Sequence, residues 1–132
     1  MTLPKPVVIL RHGTTLRRAE RLLAVPPDAG FVEPGGNQFT TADGFSTVIA
    51  GRAEGGLGSA ERYARAKAAN FPSEGGPAIL EVEVSAEIVD ILRNDPIAGM
   101  IVASGEVRFE PDLGLPELQQ VWPTLTKRVV PL

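Results

Sequence analysis

The chain has 132 residues, a net charge of −3, one histidine and no cysteine. That length suits a single domain, 1–132, with a real core, and the charge gives no general attraction to nucleic acid or to anionic membranes. The absence of cysteine excludes disulfides, thiolate catalysis and cysteine-bound metals, and a lone histidine excludes a multi-histidine metal site.

The N-terminal MTLPKPVVILRHG has an apolar run too short for a signal peptide and no small-residue cleavage site. No stretch reads as a transmembrane span, so a cytoplasmic location is expected. Val7-Val8-Ile9-Leu10 reads as a buried strand ending in a turn, Arg11-His12-Gly13-Thr14-Thr15, at a helix start. The turn sets the histidine and a glycine, which lets a ligand approach the backbone, beside N–H groups able to bind an anion or a carbonyl. The plain alternative is a surface histidine on a strand-to-helix connection. Residues 16–24 pattern as a short amphipathic helix capped by Thr15, with Leu16, Ala19, Leu22 and Leu23 on one side, stopped by Pro26-Pro27. Residues 25–37 form a Pro/Gly loop of the length that often carries function.

Residues 38–41 read as a short strand, and Asp43 is placed to cap a helical turn holding Phe45, Val48 and Ile49. The stretch GRAEGGLG, 51–58, has four glycines and reads as a loop. Ser59 caps a helix over 60–70, with Glu61 in its first turn and Ala60, Tyr63 and Ala64 on one face. Leu80, Val82 and Val84 alternate with Glu81 and Glu83 in a half-buried strand. Ser85 caps the next helix, closed by Asp95-Pro96. Residues 99–103 read as a buried strand, broken by Ser104-Gly105 and resumed by Glu106-Val107-Arg108-Phe109. Residues 111–116 read as a loop, Trp122 as packing for the last unit, and 125–130 as a final strand. Short strands with interspersed helices indicate α+β with a mostly antiparallel or split sheet, not regular βαβ winding.

Three pieces carry a resemblance: His12-Gly13-Thr14, then Phe39-Thr40-Thr41-Ala42-Asp43 followed by Tyr63-Ala64, then Ser104-Gly105-Glu106-Val107-Arg108-Phe109. In this order they resemble the ADP-ribosyltransferase superfamily, in its diphtheria-toxin-like and poly-ADP-ribose-polymerase-like branch, over roughly residues 7–110. The resemblance implies a split β-sheet with short helices around an NAD cleft. NAD would be the substrate, and no metal would be needed. His12 would hydrogen-bond the adenosine ribose, the Gly13 backbone would meet the nicotinamide carboxamide, and Thr14 could add a hydroxyl. Phe39 and Tyr63 would clamp the cationic nicotinamide ring by stacking and cation–π attraction. Thr40 and Thr41 would support the cleft floor or contact ribose.

Glu106 would be the catalytic carboxylate. The reaction breaks the nicotinamide–ribose bond through an oxocarbenium-like transition state, which a carboxylate stabilises electrostatically. Glu83 is the rival, because Glu81-Val82-Glu83 has the acid-x-acid spacing of the arginine-toxin branch. Ser104, two residues before Glu106, cannot serve as that second acid. Glu106, Arg108 and Glu110 also read as a solvated face of an edge strand, and the two aromatics as core packing.

The function implied is ADP-ribose transfer from NAD to a protein or nucleic-acid acceptor, or NAD glycohydrolysis, in a toxin- or effector-type domain. RNA 2′-phosphotransfer uses the same fold but needs a basic phosphate site, against which the mildly acidic charge counts. The alternative of a different class is a non-catalytic module that binds NAD, ADP-ribose or a protein. Composition and spacing leave the acceptor and the oligomeric state open.

Overall fold

A computed structural model describes residues 6–27, 45–50 and 60–132. They form strands β1 (Val7–Thr15), β2 (Phe45–Ile49), β3 (Pro77–Ser85), β4 (Glu106–Phe109) and β5 (Lys127–Pro131). The helices are α1 (Leu16–Ala24), α2 (Ala60–Asn70), α3 (Ala86–Arg93), α4 (Pro96–Ala103) and α5 (Leu115–Val121), with a 3₁₀ turn at Trp122–Thr124. The strands make an open five-stranded antiparallel sheet in the order β4-β2-β1-β3-β5. The architecture is α+β. Among the described residues no helix is long and apolar enough to cross a membrane.

The alternation of β-strands assigns the two faces. Leu10, Leu80, Val82, Val84, Phe45, Val107 and Phe109 point to one side, where Leu22, Val89, Leu92, Val102, Leu115, Leu118 and Trp122 complete the core. Trp122 closes this layer as its sequence position suggests. Its indole N–H donates to the Leu22 carbonyl at 2.8 Å, and Phe45 meets its ring edge-on with centroids 5.9 Å apart. The opposite face is covered by α2, which lies against Gly13 of β1. A Cβ at Gly13 would run into the Ala60 carbonyl and come within 2.7 Å of the Ala64 nitrogen. Glycine at position 13 therefore lets helix and strand backbones approach closely.

Capping sets several boundaries. Thr15 Oγ1 accepts from the Arg18 N–H at 3.3 Å, and Ser85 Oγ accepts from the Glu87 N–H at 3.3 Å, starting α1 and α3 where the sequence indicates. The Arg11–Thr15 stretch, in contrast, is not a turn. It continues β1, because β3 pairs with it residue by residue from Val7↔Ser85 to Thr15↔Pro77. The i, i+3, i+4 spacing of Phe45, Val48 and Ile49 suits a helical turn, yet the segment is strand β2. Its β-branched Thr47, Val48 and Ile49 suit a pleated surface, and β4 pairs with it from Phe45↔Phe109 to Val48↔Glu106.

Residues 99–103, apolar enough for a buried strand, are instead the second half of α4. The Asp95 carboxylate caps that helix by accepting from the Ile97 and Ala98 N–H groups, both at 2.9 Å, and Pro96 occupies its first turn. The 111–116 loop gives way to α5 at Leu115, with Pro116 in the first turn. Tyr63 leaves the face it was expected to share, for Ala60 and Ala64 are buried while it is 50% exposed. The calls on Asp43, Ser59, the 51–58 stretch and most of the 25–37 loop fall outside the described residues.

A charged group in the interior was not foreseen. Arg18 of α1 is 2% exposed and Glu74, just after α2, is 4% exposed. Arg18 Nε donates to Glu74 Oε1 at 2.7 Å and Nη2 to Oε2 at 3.3 Å, while the Thr15 hydroxyl donates to Oε1 at 3.0 Å. The guanidinium also lies over the Phe71 ring, 4.4 Å from its centroid. These contacts hold the Glu74 carboxyl below its ordinary range, the Arg18 hydrogen bond first, against the opposing effect of burial.

Glu74→Gln strands a buried guanidinium, so a loss of about 3–5 kcal/mol is expected in urea unfolding, most of it recovered when Arg18 and Glu74 are both replaced by Met. Because the folded-state value of Glu74 is depressed, its contribution is present above the unfolded carboxylate range. It is lost as pH falls through the folded value, so acid unfolding of Glu74→Gln should show a shallower pH dependence than wild type. Gly13→Ala should cost about 1–3 kcal/mol by the same unfolding measurement, since two backbones must separate.

Candidate functional site

The sheet is uneven around β1. On one side β3 pairs along its whole length, whereas on the other the ladder with β2 contains only Leu10↔Ile49 and Arg11↔Val48. Continuing that register would set Gly13 opposite Ser46. Instead the His12 side chain enters the gap, and its Nδ1 lies 2.7 Å from the Ser46 carbonyl oxygen. A carbonyl only accepts, so Nδ1 carries the proton and Nε2 keeps its lone pair. The ring packs on Phe45 with centroids 4.4 Å apart.

Backbone direction adds a second feature to this opening. The Ile9 carbonyl accepts from the Ala50 N–H at 2.9 Å, so odd-numbered residues of β1 present their peptide groups toward β2. Gly13 is one of these, and it lies beyond the last β1–β2 pair. Among the described residues the ladder supplies no partner there.

Ser46 also connects this opening to β4. Its hydroxyl accepts from Arg108 Nε at 3.3 Å, and Arg108 Nη2 donates to Glu106 Oε1 at 3.3 Å. The series His12–Ser46–Arg108–Glu106 thus crosses three strands. Glu106 lies in the same row as Arg11, through Arg11↔Val48 and Val48↔Glu106, which places it roughly 10 Å away, two strand spacings. Glu106 and Arg108 are both partly exposed, at 30% and 39% of their side chains.

Burial first, and Lys67 second, hold His12 down to about 4, against the Ser46 hydrogen bond that raises it. The ring is therefore neutral at pH 7. Lys67, on the inner side of α2, is itself lowered to about 8 by burial and by Arg18, with Glu74 opposing. A neutral imidazole with a bare Nε2 can accept a hydrogen bond from a hydroxyl, and a partly exposed carboxylate can hold a hydroxyl or face a developing positive charge.

The other expected site residues divide. Thr14 is buried at 1% exposure, and among the described residues it belongs to the interior. Tyr63 stands half-exposed on α2, roughly 200° around the helix from Glu61. Phe39, Thr40 and Thr41 lie outside the described residues. The rival carboxylate Glu83 is exposed on β3. Its neighbour Glu81 is engaged by Arg128 at 2.7 Å and Arg11 at 3.4 Å, Arg11 also pairing with Glu61 at 2.8 Å. Ser104 closes α4 by donating to the Ile101 carbonyl at 2.6 Å. Among the described residues no group of three or more His, Asp or Glu residues is placed to hold a metal ion.

Two residues central to this geometry, Ser46 and Arg108, were not singled out as site residues. A period-two reading of Phe45-Ser46-Thr47-Val48-Ile49 would have put Ser46 on the polar face of a strand. Fold and site together define an α+β domain whose ladder is interrupted beside its central strand. Comparison of the chain with protein-family models, with curated proteins and with solved structures finds no match in any of the three.

His12 is the chain's single histidine, so its ring resonances can be followed without assignment ambiguity. An NMR titration should give a midpoint near 4 in place of the ordinary 6.5. Because the folded value is depressed, the unfolded chain binds the extra proton between these two values. Stability should therefore fall as pH drops from 6.5 toward 4, and His12→Asn should lessen that fall.

Proposed function

We propose that the chain is an NAD-dependent ADP-ribosyltransferase-type domain, acting by transfer to a macromolecular acceptor or by NAD glycohydrolysis. The observation that carries this reading is the opening between β1 and β2 beyond Arg11. There a neutral histidine and the peptide edge of Gly13 lie beside one another, and Ser46 and Arg108 link them to a carboxylate on β4. The likeness to the His-Gly, aromatic and late-Glu pattern of the superfamily is the second ground for it.

In this reading the Gly13 peptide groups take the nicotinamide carboxamide, which needs one acceptor and one donor side by side. His12 Nε2 accepts from a ribose hydroxyl, a role that requires the neutral ring. Tyr63, with Phe39 as the second aromatic, stacks on the nicotinamide. Glu106 holds a ribose hydroxyl and offsets positive charge as the C1′–N bond breaks. Nicotinamide departs as a neutral molecule with the bonding electron pair, and the ribosyl cation is captured by water or by an acceptor nucleophile that loses a proton. Electrostatic stabilisation of this kind is the principal contribution a single carboxylate can make.

A second reading rests on the Arg108–Glu106 ion pair, which neutralises the carboxylate where its charge would be needed. It makes the domain a module that binds NAD or ADP-ribose without turnover. The deciding assay is nicotinamide release from NAD by the purified chain. Glu106→Gln should reduce release by about 10²–10³-fold while Glu83→Gln leaves it unchanged. NAD bound but not consumed, with affinity weakened by His12→Ala, would select the binding module. Neither release nor binding would overturn both readings.

A further inference from the structure

The ion pairs of this sheet are not alike. Arg18–Glu74 and Arg128–Glu81 both close to 2.7 Å, the range of strong charge-assisted hydrogen bonds. Among the described residues Arg108 is held by two contacts of 3.3 Å, one to Ser46 Oγ and one to Glu106 Oε1. Strand geometry explains the difference. Arg108 and Glu106 are two residues apart on one face of β4, so their side chains rise side by side and the guanidinium cannot meet the carboxylate with its planar fork. Among the described residues only two of the five N–H donors of this guanidinium are engaged, one through Nε and one through Nη2. It is partly exposed, on an edge strand whose neighbour across the ladder, Ser46, meets His12 through its carbonyl.

We infer that Arg108 is a phosphate-binding residue, and that its pairing with Glu106 is the arrangement of the site without ligand. The inference builds on the site proposed above and names the anion it takes. Two phosphate oxygens match the guanidinium fork in a way that the neighbouring carboxylate does not. Exposed ion pairs contribute little, so the exchange of partners is easily made. When Arg108 turns to a phosphate, Glu106 loses the cation that neutralises it. The carboxylate then keeps its charge intact, as stabilising a ribosyl cation requires. Phosphate binding and activation of the carboxylate become one event, and the ion pair that favours a silent module becomes the resting state of an active one. The phosphate belongs either to the dinucleotide itself or to a phosphorylated acceptor, and the chemistry at Arg108 is the same.

Inorganic pyrophosphate is the probe, with binding measured by calorimetry on wild type, Arg108→Gln, Arg108→Lys and Glu106→Gln. Arg108→Gln should weaken binding about tenfold and Arg108→Lys by less, because a point charge survives without the fork. Glu106→Gln should tighten binding, since it removes a competing negative charge. Arg128→Gln, at the far edge of the sheet, should leave it unchanged. Competition between pyrophosphate and ADP-ribose supports the inference with the dinucleotide as phosphate source, and simultaneous binding supports it with the acceptor as source. Equal affinity in wild type and Arg108→Gln, or no binding by wild type, overturns it. Nicotinamide release measured on the same proteins separates the two proposals. Release without Arg108-dependent anion binding defeats this inference alone, whereas Arg108-dependent binding without release supports it and defeats only the catalytic reading.

Discussion

The buried pair of Arg18 and Glu74 is the constraint on which the rest of the arrangement depends. It joins the first turn of α1 to the segment that follows α2, and it is reinforced by backbone bonds from Leu16 N–H to the Gly76 carbonyl and from Arg17 N–H to the Glu74 carbonyl. One end of β1 is thereby fixed to the chain that leads from α2 into β3. Helix α2 is held down over β1, and Gly13 makes that closeness sterically possible. Ionic groups removed from water recover their desolvation cost only with good geometry and additional hydrogen bonds. Here Thr15 and the face of Phe71 supply the supplement. Thr15 is also the N-cap of α1, so one hydroxyl serves the helix start and the interior pair together.

Fixing β1 between α2 and β3 leaves its other edge free to diverge. The divergence begins where His12 stands, and the ring takes the carbonyl that a continued ladder would have given to Gly13. Polar groups of different character result: a peptide edge and an imidazole kept neutral by its surroundings on β1, with a carboxylate on β4, two strands away. In the proposed function such groups meet a ligand that is both hydroxylated and cationic. They are also costly to leave beside an ordinary strand pair, so the interrupted ladder and the polar residues explain one another.

The sequence discloses this arrangement unevenly. Thr15 and Ser85 announce helix starts because capping is local chemistry, and the alternation of residues 80–84 announces β3 because period two needs no knowledge of partners. Segments 45–49 and 99–103 misled for a shared reason: a short apolar run fits either period. In the first case pairing with β4 decided the outcome, and in the second the Asp95-Pro96 helix start did. Arg18 in the interior could not be foreseen, because its partner Glu74 is distant along the chain and a hydrophobic pattern assigns charges to the outside. His12 and Glu106 stand out individually by residue type. Their connection does not, since Ser46 and Arg108 meet only through the register Ser46↔Arg108 of two strands far apart in sequence.

The two-pair ladder between β1 and β2 has a mechanical meaning. β2 and β4 are joined to each other by four residue pairs, whereas β2 meets β1 through the pairs at Leu10 and Arg11 and the Ala50-to-Ile9 bond beside them. The join between β1 and β2 therefore rests on fewer rungs than the join between β1 and β3, and packing in the shared core makes up the difference. Where the ladder stops, the bond from His12 to the Ser46 carbonyl and the packing of the ring on Phe45 carry the connection between the two strands among the described residues.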